Sequence, residues 1–173
     1  MSIHPAAGDL PLFMLLRTAP ASLTAWEELA RQATQHLQTQ PPQTVLPLLF
    51  KAQQMAQRLM ASPQLDVHPD HCLAAWVVSH HNLVDVLSQC GQRPLALEYL
   101  CDAHLGLADL AERHASAIVQ QAAWRHLRET RSALLLWQRQ HGVQAQTTAA
   151  LRAANGTAPM AHAPHTRTPS RLH

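Results

Sequence analysis

Two short runs carry residue types from which metal sites are built. "HPDHC" spans His68 to Cys72, and "CDAH" spans Cys101 to His104. Thiolate and imidazole suit Zn or Cu, and a structural zinc site takes about four such ligands in a tetrahedron. Residues three and four apart share a helix face. His68, His71 and Cys72 therefore group together, as do Cys101 and His104. The two groups would form one ligand set if the start of one helix met the end of the next across a hairpin. Against this, no paired C-x-x-C occurs, and a free cysteine commonly serves as a small buried hydrophobe. Core packing without a cofactor is the preferred reading. A metal-binding or metal-sensing helical protein using Zn or Cu is the alternative.

Between the runs stand His80 and His81. Adjacent helical residues point about 100° apart, so these two rings do not converge on one ion. His80 is expected to be a half-buried structural histidine. His81 and Asp85 are four apart and share a face. An aspartate so placed orients the imidazole or receives a partner's basic group; a weak solvated pair is the plainer outcome. The chain contains no nucleophile elbow, phosphate-cradling loop, zinc-protease helix or dinucleotide fingerprint. No catalytic residue is assigned, and an enzyme is not expected.

The elements that position these residues are helical. The chain has 173 residues, enough for one domain with tails. Apolar residues make up 47% but aromatics only 4%, so the core must be Leu, Ala, Val and Met around four tryptophans. Five glycines leave few turns for an all-β fold. A net charge of +2 gives no general attraction to nucleic acid or membrane. Arg125, Arg128, Arg131 and Arg139 are set aside because Lys51 is the only lysine, a skew that compositional bias explains. Three cysteines, an odd number, point to reduced thiols and a cytoplasmic setting. "LPLFMLLR", Leu10 to Arg17, is too short to span a membrane. Residues 1–20 are expected to pack on the domain, with a short helix from Asp9 to Arg17.

Periodicity predicts further helices. One follows "TAWE", Thr24 to Glu27, read as a capping box, and stops before "QPP". The next runs from Thr44 to Ala61, with Pro47 tolerable only in its first turn. Ser62 to Pro69 reads as a loop. A third helix is capped by Asp70 and ends at Cys90 before Gly91. A fourth starts at Pro94. Gly106 and the Asp109-x-x-Glu112 signal place a break near Gly106 to Asp109. The last helix then spans Leu110 to His141, with Gly142 as its stop. It carries Trp137, a candidate for an exposed apolar patch and a possible homodimer contact. From Val143 the chain has no acidic residue and no apolar period; residues 143–173 read as a disordered tail.

"NLVDVLSQCGQRPLALEYLCDAH", Asn82 to His104, resembles a tetratricopeptide-repeat motif. Leu83, the turn Gly91, Ala96, Leu100 and Ala103 occupy matching positions. Val84 and Leu87 depart from it, where the family prefers Gly and Tyr. The resemblance covers one unit, residues 77–110. It implies an all-α fold of antiparallel hairpins over residues 21–142, stacked as a tetratricopeptide-like right-handed array with a long C-terminal capping helix. A looser resemblance, to small bacterial proteins of this kind with no assigned function, implies a fold and no chemistry. In the repeat family the first helix of each pair lines a concave groove. By that carry-over Val78, His81, Asp85 and Ser88 would face a protein partner. The expected function is a non-enzymatic adaptor or chaperone-like module.

Overall fold

A computed structural model describes residues 20–153. Seven helices occur among them: α1 (Leu23–Leu37), α2 (Pro42–Met60), α3 (Gln64–Val67), α4 (Pro69–Gln89), α5 (Arg93–Arg113), α6 (Ala117–His141) and α7 (Ala145–Ala153). No helix among the described residues is long and apolar enough to cross a membrane. The expected segment Asp9 to Arg17 and the packing of residues 1–19 lie outside them.

The long helices form hairpins, α1 with α2, α4 with α5 and α6 with α7. Short links make the members of each pair antiparallel neighbours. Each second helix also packs on the first helix of the next pair, α2 on α4 and α5 on α6, while α1 touches α4 and α4 touches α6. The α4–α5 turn forms as its residues predict. Gly91 has φ +76°, the Gly91 N–H donates to Ser88 O at 3.0 Å, and the Gln92 N–H donates to Leu87 O at 2.8 Å. That pair of bonds satisfies the carbonyls a helix end leaves open.

Local expectations fail where a nearer or stronger partner exists. Ser22, not Thr24, caps α1, accepting from the Ala25 N–H at 3.3 Å. With the cap at Ser22 the third helical position is Ala25 rather than Glu27, so the capping box does not form. Pro47 lies in the second turn of α2, which starts at Pro42. The expected loop before α4 contains the single turn α3. Asp70 does not cap α4. Its carboxylate receives Arg125 Nη2 at 2.9 and 2.8 Å and so links α4 to α6.

The break at Gly106 does not occur, because α5 runs unbroken to Arg113. Gly106 has a packing role instead. A Cβ there would lie 2.9 Å from Trp76 Cζ2, so the missing side chain is what lets the indole lie against α5. Trp76 Nε1 donates to Ala103 O at 3.1 Å, completing the contact. The helix ends instead before Ser116, and α6 begins at Ala117. The expected tail is corrected over residues 143–153, and its remainder, 154–173, lies outside the described residues. Gly142, at φ +83°, stops α6 as expected, but α7 follows and packs on α5. Thr147 and Ala150 of α7 are buried, and Gln138 Nε2 donates to Thr147 Oγ1 at 2.7 Å. The array is thus closed by a hairpin rather than by one long helix.

The core has two apolar parts. One joins the C-terminal half of α4 to the N-terminal half of α5, with Leu83, Leu87, Leu100 and Cys101. The other joins the opposite halves, with Cys72, Leu73, Leu107 and Ala111. Buried polar groups lie on the helices between them. Ser79 Oγ accepts from Trp26 Nε1 at 2.7 Å. His80, expected to be half-buried, is 1% exposed, with Nδ1 2.8 Å from Trp76 O. His104 Nδ1 lies 2.8 Å from Thr130 Oγ1, whose hydroxyl donates to Leu127 O at 3.2 Å.

Two tests follow from this packing. Gly106→Ala gains about 1 kcal/mol of helix propensity but forces a methyl into the Trp76 indole. Overpacking of this kind costs about 1–3 kcal/mol, so chemical denaturation should show a net loss of stability, larger still for Gly106→Val. The second test concerns pH. Burial is the main cause that lowers His80 and His104 from 6.5 to about 4. The unfolded chain binds these protons first, so unfolding takes up protons below 6.5. Stability is at its plateau above that value and falls as the pH drops towards about 4, by up to about 1.4 kcal/mol per pH unit for each ring. Denaturation curves across pH 7.5 to 4.5 should show this slope, and His104→Gln should reduce it.

Candidate functional site

The five metal-ligand candidates do not converge. The reason is the unbroken α5. Because Trp76 is level with Ala103 and Gly106, the part of α5 that lies beside Cys72 is Leu107 to Ala111. His104 sits three to seven residues before this stretch, about 4.5 to 10.5 Å along the axis at 1.5 Å per residue. Cys72 packs in one apolar part and Cys101 in the other. His104 turns to Thr130, and His68 meets His71 edge-on at 6.1 Å. Burial raises both thiols, Cys101 to about 11, away from the thiolate a metal requires. Among the described residues no three His, Cys, Asp or Glu side chains come together in a way that could hold a metal ion.

The polar face of α4 does form part of a cleft. His81, Asp85 and Ser88 line it, with Val84 and Gln89 beside them. The opposite wall is α6, through Ala133, Leu136, Trp137, Gln140 and His141, and Leu100 of α5 adds to the lining. The cleft volume is about 420 Å³, within the range of pockets that take small ligands or side chains. Val78, the fourth expected groove residue, is exposed but does not line it.

The α4 side chains occupy this wall because they fall on the polar face of a helix whose other faces are buried. Ser88 Oγ donates to Val84 O at 2.6 Å, leaving its lone pairs for a visitor. His81 Nδ1 lies 3.9 Å from Glu129 Oε1, while its Nε2 is buried without a hydrogen-bond partner. Burial lowers the His81 pKa; Glu129, and then Asp85, act in the opposite sense. Asp85 is raised by partial burial, with His81 opposing. Burial thus favours the neutral form of both the imidazole and the Asp85 carboxyl group, while the opposite charges of Glu129, Asp85 and His81 work against it.

Trp137 is not the exposed patch expected of it. It is buried, donates from Nε1 to Gln144 Oε1 at 3.3 Å and packs at a tilt against the His141 ring, 4.4 Å between centroids. The turn into α7 covers it. The exposed apolar residues near it are Leu135 and Leu136, 42% and 50% exposed. Glu129, Ala133, Leu136 and Gln140 were missed as site residues. Their spacing of four, three and four marks one face of α6, but nothing local to that helix says which other helix this face meets.

The sequence model of a family described as protein of unknown function (DUF2753) matches residues 24–163. No curated protein and no solved structure matches the chain.

The electrostatics of the cleft can be checked by NMR titration of His81. Its pKa should lie below the ordinary value. Glu129→Gln should lower it further, and by more than Asp85→Asn does, because Glu129 is the larger of the two acidic influences.

Proposed function

We propose that this chain, which belongs to the DUF2753 family, is a non-enzymatic helical module that takes a protein segment into the cleft between α4 and α6. The observation that carries the reading is the composition of that cleft. Val84, Leu100 and Leu136 supply apolar surface, and Asp85, Gln89 and Gln140 stand among them as hydrogen-bonding groups. Apolar surface gives a segment its affinity, while a few placed polar groups meet its backbone and fix its direction. The hairpin order supports the tetratricopeptide-like, right-handed stacking that the sequence resemblance implies. In such a stack the first helices α1, α4 and α6 would share the concave side, and two of them, α4 and α6, wall this cleft. The role would be that of an adaptor or chaperone-like protein.

The test is affinity capture with the tagged full chain from its source cell, read by quantitative mass spectrometry. Asp85 and Leu136 are both exposed, so Asp85→Ala and Leu136→Arg should change stability by no more than about 0.5 kcal/mol. Each variant should sharply reduce recovery of the same captured protein, while Arg31→Ala on α1 leaves it unchanged. A captured set that ignores both cleft variants would remove the proposal.

A further inference from the structure

A second cleft, of about 460 Å³, opens between α2 and α5, away from the one described above. Its lining includes Trp76, His80, Glu98, Tyr99 and Asp102. Glu98 and Asp102 are four apart on α5, and like charges at that spacing repel. Neither forms an ion pair among the described residues. Partial burial, and then Glu98, raise the Asp102 pKa.

The second observation is His80, a residue 1% exposed that lines this cleft. Its Nδ1 lies 2.8 Å from Trp76 O. A carbonyl oxygen only accepts, so Nδ1 carries the hydrogen and Nε2 is left as a lone pair. No partner for Nε2 occurs among the described residues. Burial keeps the ring neutral down to about pH 4, so it remains an acceptor. The ring is flanked by Trp76 at 4.0 Å and Tyr99 at 5.9 Å.

We infer that this cleft binds a guanidinium group, the head of an arginine side chain. The ligand must bring positive charge to a repelling carboxylate pair. It must donate in several directions at once, to two carboxylates and an imidazole nitrogen. It must also lie against aromatic walls. Guanidinium has five N–H donors, no acceptor, a permanent charge and a flat face that stacks on aromatic rings. An ammonium has the charge but no plane. A metal ion does not suit, since the acceptors are not grouped for one. The arginine can come from the chain itself, because residues 154–173 hold Arg167 and Arg171 and no carboxylate side chain, or from another protein.

The test uses the ¹⁵N-labelled full chain, titrated with N-acetyl-arginine amide while the Trp76 indole N–H signal is followed. Trp76→Phe assigns that signal. A saturable shift is expected. N-acetyl-citrulline amide, the uncharged isostere, should bind roughly tenfold more weakly or worse, as should arginine amide to Glu98→Gln/Asp102→Asn, because hydrogen bonds to a charged partner are stronger than those between neutral groups. An Arg167→Ala/Arg171→Ala chain that binds the amide more tightly than its parent identifies the chain's own segment as the occupant. Equal binding by the two assigns the arginine to another protein. The inference is overturned if both chains leave the Trp76 signal unmoved at tens of millimolar amide, if citrulline binds equally well, or if the Glu98/Asp102 variant binds as the parent does.

Discussion

The contact between Trp76 and Gly106 sets the register on which the rest of the molecule depends. A large rigid indole on α4 can approach α5 only where a side chain is missing, and Gly106 supplies that absence. The hydrogen bond from Trp76 Nε1 to Ala103 O makes the approach directional. Backbone and ring together then fix His80, whose Nδ1 meets the Trp76 carbonyl and whose ring packs at a tilt against the indole. One contact thus aligns α4 with α5, divides the apolar core into two parts and builds a wall of the cleft between α2 and α5.

This register also decides what the cysteines and histidines can do. With α5 continuous, Cys101 and Cys72 fall in different apolar parts. Burial holds both thiols protonated. His104, 1% exposed, is tied to Thr130. Such polar groups in a core are tolerated when hydrogen-bonded, and here they mark the boundary between the two apolar parts. The same groups make the fold sensitive to acid, since a neutral buried imidazole resists protonation until the chain opens.

Much of the architecture was legible because it rests on short-range rules. Gly91 and Pro94 specify a turn between helices, since a left-handed residue and a fixed φ act within a few residues of themselves. Gly142 marked the end of α6 for the same reason. On α4 the four-residue spacing of His81 and Asp85 placed both on one face, and both do line the cleft with Ser88. The failures share one cause. Gly106, Asp70 and the run after Val143 were each read by local propensity, and each takes its role from a residue elsewhere on the chain. Gly106 looks like a helix stop until Trp76 is placed against it. Asp70 looks like a cap until Arg125 reaches it. The run after Val143 looks too polar to fold until α5 and α6 offer it surfaces to cover.

By itself the sequence determined the helical character of residues 23–153 in large part, the sharp hairpin at Gly91 and the absence of familiar catalytic motifs. These follow from propensity, periodicity and the special backbone freedom of a few residues. Tertiary structure alone decided that α4 pairs with α6 to make a cleft, that the metal-type residues are scattered and that His80, Glu98 and Asp102 line one cleft. A helix announces its own faces through its spacing, but which face meets which neighbour depends on the packing of side chains far apart in the chain.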